Sequence, residues 1–267
     1  MFSNSHLTPG QLLEIMWKIS SRTPSTLIPQ LIFGMPKSEV FARIKYFRDV
    51  AGWFEDKHLV LMGGPNKIVE GDGMFLIGKR KCGVGRYHSK EHVYVCLERK
   101  TRKVRRIVVR DKSSDVLSVF AKHLKPNTEM CVDPGTENTF FDNLPAVTIL
   151  HKIPGPIHVD TDDPDKNTQT VERSHSGVKM RLRSGRGVYR HNLQSIMDLE
   201  DFISNRTTGR PSSIFKRLGD AATLYCSVID NSTIRASNIP FLLATDHFEN
   251  VEGLTLTKIK TMCTFYT

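Results

Sequence analysis

From residue 68 onward the chain reads as three β-rich runs followed by a regular alternation of helix and strand. That order restricts the fold more than any other feature of the sequence. IVEGDGMFLI (68–77) is strand-like. VYVCLE (93–98) and VRRIVVR (104–110) are rich in β-branched residues, and the polar RKTRK between them predicts a hairpin. SSDVLSVFAKHL (113–124) has serine caps and sets Val116, Val119, Phe120 and Leu124 on one helical face. TEMCVD (128–133) is a short apolar strand ending in an acid, ENTFFDNL (137–144) a short helix, and AVTILHK (146–152) another strand. After the acidic loop HVDTDDPDKN (158–167), the segments TQTVERSHSGVKMRLR (168–183) and NLQSIMDLEDFI (192–203) read as helices. A hairpin start followed by alternation implies an α/β architecture: a mixed sheet with helices on its faces.

The flanks differ. In the first 60 residues Leu12, Leu13, Ile15, Met16 and Ile19 recur at helical spacing after Thr8-Pro9, a helix start signal. LIPQLIF (27–33) ends at Gly34, and a third helix is expected near Pro36 with Val40, Ile44 and Phe47 on one face. Helix, glycine turn and amphipathic helix make a helix-turn-helix pattern, in which Lys37, Arg43, Lys45 and Arg48 would face phosphates or base edges. A plain helical hairpin has the same pattern. GGPNK (63–67) is a breaker and marks a boundary. The expected domains are therefore a helical region at 1–62, a catalytic domain at 63–206, and a tail at 207–267 to which no role is assigned. Within the tail, 207–214 reads as a linker, and 223–229 and 239–245 as strands or short helices.

Charge and isolated acids point to chemistry. The 38 basic and 28 acidic residues give a formal charge of +10. Such a surplus favours a polyanionic partner, because Lys and Arg neutralise phosphates and release condensed counterions. The five cysteines include no C-x-x-C pair, so no zinc ribbon is expected, and their spacing suits a reducing compartment. The N-terminus lacks a signal pattern, and no apolar run reaches the roughly 18 residues needed to cross a bilayer. A soluble, intracellular protein is expected. Asp72 stands inside an apolar strand and Asp133 at the end of another, while Glu172 lies on a helix. Buried carboxylates need neutralising. If these three converge, divalent cations bound through oxygen are the natural solution: two Mg²⁺ or Mn²⁺ ions, about 4 Å apart in phosphodiester chemistry. Each acid has a plainer role open to it. Asp133 precedes Pro134-Gly135 and suits a turn, and Glu172 suits a solvated helix face.

Three blocks then carry a family resemblance. GGPNKIVEGDGMFLIGKRKCGVGR (63–86) resembles the first catalytic block of Merlin-type transposases and their bacterial insertion-sequence relatives: G-G-x-x-x-x-V-E-x-D-E, a phenylalanine, then a G-K-R-K cluster. VVRDKSSDVLSVFAKHLKPNTEMCVDPGTENTFFDNL (108–144) is similar to the run that ends in the second acid. HVDTDDPDKNTQTVERSHSGVKMRLR (158–183) is similar to F-V-D-P-x-T-x-x-x-T-Q-T-I-E and its basic helix. The resemblance covers about residues 60 to 205. It implies an RNase H-like mixed sheet flanked by helices, with an Asp-Asp-Glu triad at Asp72, Asp133 and Glu172 holding Mg²⁺ or Mn²⁺. The implied activity is DNA transposition, in which double-stranded DNA is cut and joined at transposon ends by a homo-oligomer in the nucleus. Lys79, Arg80 and Lys81, and also Lys179, Arg181 and Arg183, match basic clusters that hold the phosphate backbone. Asn167 and Gln169 fall in the motif at the helix entry. The pattern is broken at Gly71, at Gly73 (an acid in the family), at His175 (usually Trp) and at Gly177. Those departures support a second expectation, a recruited or decayed DNA-binding protein without catalysis. An RNase or structure-specific nuclease would share the metal logic.

Overall fold

The computed structural model describes residues 8–76, 91–109, 115–135, 141–153, 159, 163, 166–184 and 189–229. The basic cluster Lys79, Arg80 and Lys81, most of the acidic loop, and the segment 239–245 lie outside them. The chain forms two compact units, residues 1–54 with 206–267, and residues 55–205. Among the described residues no helix is long and apolar enough to cross a membrane.

The first unit is helical. Helix α1 (Pro9–Ser20) starts at a capping box: Gln11 N–H donates to Thr8 Oγ1, and the Gln11 side chain accepts from the Thr8 amide. Two otherwise orphaned donors are satisfied reciprocally. Leu13, Ile15, Met16 and Ile19 turn inward. A single turn follows, α2 (Ile28–Leu31), and the chain reverses through Gly34 at φ +77°. Helix α3 (Lys37–Lys57) buries Val40, Ile44, Phe47, Val50 and Ala51, the face its periodicity predicts. Three of its basic residues are engaged locally. Arg43 pairs with Glu39 at 2.6 Å, Lys45 with Asp49, and Arg48 donates to Ser25 Oγ.

The stretch at 207–214 is not a linker throughout. Pro211 occupies the first position of helix α7 (Pro211–Ile229), where its missing N–H has no partner to lose. The 223–229 segment continues that helix and is not a strand. Ile214, Leu218 and Ala221 are buried, Phe215 meets Trp17 edge-on at 5.7 Å, and Tyr225 packs on Tyr46 and Trp53. Residues 207–229 thus complete the helical unit.

The second unit is built on a five-stranded sheet ordered β4-β3-β2-β6-β7. Strands β2 (Ile68–Leu76), β3 (Glu91–Glu98) and β4 (Val104–Val109) form an antiparallel meander; β6 (Thr128–Val132) and β7 (Val147–Lys152) run parallel to β2. The expected hairpin and strands are all present. Between β6 and β7, residues 141–143 form a 3-10 helical turn within the segment 137–144 expected to be a short helix; residues 137–140 lie outside the described ones. Helix α4 (Asp115–His123) ends one residue early. Leu124 instead enters strand β5 (Leu124–Lys125), which pairs with β1 (Met62–Gly63) in a small second sheet. Glycine is required there: Gly63 has φ +74°, and a Cβ on it would stand 2.2 Å from Thr128 Oγ1.

Strand alternation splits the core. Val69, Tyr94, Cys96, Phe120, Met130, Val132 and Phe141 pack on one face of the sheet. Met74, Val93, Val95 and Leu97 pack on the other, against Val171 and Val178 of α5 (Gln169–Ser184) and Leu193 and Met197 of α6 (Leu193–Arg206). The Gly71 carbon belongs to the first face. A Cβ there would lie 3.1 Å from the Phe141 ring and from Val132 Cγ1. Gly71 pairs with Cys96 on one side and Val132 on the other and leaves room for Phe141. Gly71→Val is expected to destabilise by about 1–3 kcal/mol through overpacking, read as a lowered denaturation midpoint. An unchanged midpoint would show that Phe141 yields freely.

The open edge of β4 is covered by side chains of α6. Val104 N–H donates to Asn205 Oδ1 and its carbonyl accepts from Asn205 Nδ2; Arg106 N–H donates to Asp201, and Val108 N–H to Gln194. An unpaired strand edge invites association with other chains; here alternate backbone groups are satisfied by one helix. Arg106 also ion-pairs with Asp201 at 2.6 Å and reaches Ser174 on α5. Burial pushes the Asp201 carboxyl up to about 7, with Arg106 and Arg105 pulling the other way.

His123, at the end of α4, is buried with Nδ1 against the Val60 carbonyl at 3.1 Å. Burial lowers its pKa, the Val60 carbonyl opposes this, and Arg105 adds to the lowering. Above pH 6.5 both folded and unfolded chains hold a neutral imidazole. As pH falls below 6.5 the unfolded chain takes up the proton first, so stability is lost with acidification. The midpoint of unfolding is expected to fall between pH 7.5 and 5.5, and less steeply in His123→Gln. Parallel slopes would remove His123 as a cause.

Candidate metal centre

Asp72 sits on the central strand β2, on the face covered by α5, paired in register with Val95 of β3. It is 6% exposed. Its Oδ1 accepts from the Gly73 amide at 2.7 Å, which uses one of its oxygens. The other points at helix α5. There Glu172, in the first turn, and His175, one turn later, present their side chains toward it. His175 Nδ1 lies 3.3 Å from Asp72 Oδ2 and 3.9 Å from Glu172 Oε2. One donor atom from each of the three residues falls within 4.8 Å of the others, the one group of this kind among the described residues.

Asp133 follows β6 directly. In the parallel ladder Glu70 pairs with Cys131 and Gly71 with Val132. The next residues along the two strands are Asp72 and Asp133. Neighbouring strands run about 4.8 Å apart, and residues two apart share a face. Cys131 shares the face of Glu70, since Arg99 reaches both. Asp133 is nevertheless outside the three-residue group, and its Oδ1 accepts from the Gly135 amide at 3.0 Å, the turn role open to it from sequence.

The helix carrying Glu172 is fixed to β2 by a buried ion pair that the sequence reading left without a role. Glu70 is fully buried. Its Oε1 accepts from Arg99 Nε at 2.7 Å and its Oε2 from the Val171 amide at 2.8 Å. The second bond caps the N-terminus of α5, where a carboxylate is favoured by unsatisfied amides and the helix dipole. Arg99 also donates to the Asn167 carbonyl at 2.7 Å, tying down the loop that enters the helix. Asn167 thus takes part in positioning α5 through its backbone, whereas Gln169 is exposed. Glu70 was legible in principle: it is a second acid two residues from Asp72 on an apolar strand.

Burial dominates the state of His175. It lowers the imidazole pKa to about 4; Glu172 opposes this, and Lys179 and Arg106 reinforce it. The ring is therefore neutral near pH 7. Its Nε2 is buried with no hydrogen-bond partner. A neutral ring beside two carboxylates offers a lone pair or an N–H, depending on tautomer, and so can serve as a ligand or a donor.

Of the basic residues on α5, Arg181 grips Glu200 of α6 through two contacts of 2.8 and 2.7 Å, Lys179 is half-buried and Arg183 is exposed. Gly177 does not distort the helix, and a Cβ there would meet only Arg181 Nη1 at 3.5 Å.

No protein-family model and no curated protein matches this chain. Among solved structures, a chain of the simian T-cell lymphotropic virus intasome in complex with PP2A regulatory subunit B56 gamma aligns with 72% of this chain at 14% identity and a TM-score of 0.35. The alignment spans 66% of that chain's own length.

Proposed function

We propose that this chain is a metal-dependent polynucleotidyl transferase on an RNase H-like core, acting on double-stranded DNA as a Merlin-type transposase. The observation that carries the reading is the convergence of Asp72 and Glu172, remote in sequence, on one buried spot that also takes in His175. Three further features support it. The antiparallel meander followed by two parallel strands is the order expected of an RNase H-like sheet. The parallel β2–β6 pairing runs as far as Gly71 and Val132, the residues immediately before Asp72 and Asp133. The formal charge of +10 suits a phosphate backbone.

In this proposal Asp72 and Glu172, with Asp133 completing the triad, would hold divalent cations, whose chemistry would be charge neutralisation at the scissile phosphate and activation of an oxygen nucleophile. Asp72 orients from the rigid central strand, and Glu70 and Arg99 hold α5 so that Glu172 faces it. Lys79, Arg80, Lys81, Lys179, Arg183, Arg43 and Lys45 are assigned to DNA backbone contact, and Arg181 to the same surface once released from Glu200. Assembly as a homo-oligomer on transposon ends, in the nucleus, belongs to the same proposal.

A second reading, a DNA-binding protein without catalysis, is favoured by one observation: Asp133 lies outside the donor group, with one oxygen committed to a turn. Incubating the full chain with supercoiled plasmid, Mg²⁺ or Mn²⁺, and Asp72→Ala as control separates the two. Nicking that needs the cation and disappears in the variant supports the enzyme. Retardation of DNA with no nicking under either cation supports the binding protein. Cleavage of RNA in preference to DNA would replace both with a ribonuclease.

A further inference from the structure

We infer that Asp72, Glu172 and His175 form a mixed nitrogen–oxygen site that binds one divalent transition-metal ion, of the Mn²⁺, Co²⁺ or Zn²⁺ class, in preference to Mg²⁺. The inference rests on the site of the proposed function but changes its ligand set, replacing an all-oxygen triad at the first cation by two carboxylates and an imidazole.

The geometry suits a single ion. Donor atoms bound at roughly 2.1 Å to one cation lie roughly 3–4 Å apart, depending on the angle between them. His175 Nδ1 stands 3.3 Å from Asp72 Oδ2 and 3.9 Å from Glu172 Oε2, and the whole group fits within 4.8 Å. The remaining closure falls to Glu172, whose side chain is 36% exposed and can move, while Asp72 and His175 are held in the core. Coordination is also an answer to the cost of burial. Asp72 is a carboxylate on an apolar strand, and its near neighbour is a buried imidazole, a side chain that ligates divalent metals. His175 itself is buried with one ring nitrogen unpartnered and the other turned onto both carboxylates.

Donor chemistry decides the ion. Carboxylates alone suit Mg²⁺ and Ca²⁺, whereas imidazole favours the later first-row metals. Mg²⁺ also demands near-ideal octahedral oxygen geometry and gives up water reluctantly. One imidazole therefore tilts the site toward Mn²⁺, Co²⁺ and Zn²⁺.

The test uses the full chain and Mn²⁺ alone, followed by electron paramagnetic resonance with pulsed detection of nitrogen couplings. The expected result is one tightly bound Mn²⁺ with a nitrogen coupling, displaced by Zn²⁺ at far lower concentration than by Mg²⁺. His175→Gln is expected to lose the coupling and to bind Mn²⁺ roughly 100-fold more weakly, at the upper end of the loss seen on removing outer-shell partners. Because His175 is buried, its variant is checked by circular dichroism. Glu172→Gln, at a partly exposed position, provides the second arm: weaker Mn²⁺ binding with the nitrogen coupling retained. Bound Mn²⁺ without nitrogen coupling, equal displacement by Mg²⁺, or no bound Mn²⁺ overturns the inference. Mg²⁺-supported nicking without nitrogen coupling would do so while leaving the proposed activity standing; nitrogen-coupled Mn²⁺ in a protein that never nicks DNA would do the reverse.

Discussion

Asp72→Asn is expected to keep its fold and to lose strand cleavage by about 10³-fold or more. The change is nearly isosteric, and the amide oxygen can still accept from the Gly73 amide at the position Asp72 Oδ1 now holds. What disappears is the negative charge nearest to His175 and facing Glu172. Charge neutralisation by a bound cation is worth several kcal/mol at a phosphoryl transition state, and each 1.36 kcal/mol is a factor of ten in rate. Loss of about 4 kcal/mol therefore gives the stated drop. The check is single-turnover plasmid nicking beside a denaturation curve. A variant that unfolds earlier and cleaves normally when folded would show Asp72 to be structural.

Glu70→Ala is expected to be the most destabilising single change near the site, by about 3–5 kcal/mol. The substitution strands Arg99, whose guanidinium meets Glu70 at 2.7 Å, and leaves the Val171 amide at the start of α5 without its acceptor. Removing one partner of a buried pair is far worse than removing both, because the remaining charge has lost its compensation. Glu70→Gln keeps the acceptor for Val171 and is expected to recover part of the loss. The double variant Glu70→Leu with Arg99→Leu is expected to be milder than Glu70→Ala alone. Urea denaturation of the set measures this, and a double variant as unstable as the sum of its parts would exclude the pairing argument. Since Arg99 also holds the Asn167 carbonyl, the Glu70 variants are further expected to weaken Mn²⁺ binding through misplacement of Glu172.

Much of the fold was legible because it follows from periodicity. The runs at 68–77, 93–98, 104–110, 128–133 and 146–152 became strands at nearly those positions, and the apolar spacing on α1 and α3 marked their buried faces. The open and missed points have physical causes. Residues 223–229 are apolar and short, a length at which strand and helix patterns coincide, so both stayed open; they continue α7, with Tyr225 packed on Trp53 and Tyr46. Leu124 fits the helical face of α4 but pairs with Met62, a partner supplied from far along the chain. Gly71 stands out in the sequence only as a departure from a family pattern, and the structure shows Phe141 packed where its side chain would stand.

The candidate site divides along the same line. Asp72 was conspicuous as an acid inside an apolar run, and Glu172 as an acid in a helix-entry motif, so both could be named from the chain alone. His175 read only as a departure from a pattern, and Glu70 as part of a motif without a task. Local sequence determined which residues would be strand, which helix, and which acids were out of place, because propensity and alternation act over a few residues. The tertiary structure alone decided that a helix after β7 lies across β2, that Glu70 and Arg99 clamp it there, and that the donor beside Asp72 is an imidazole. Those are contacts between distant segments, whose energies depend on packing and desolvation and leave no periodic trace in the sequence.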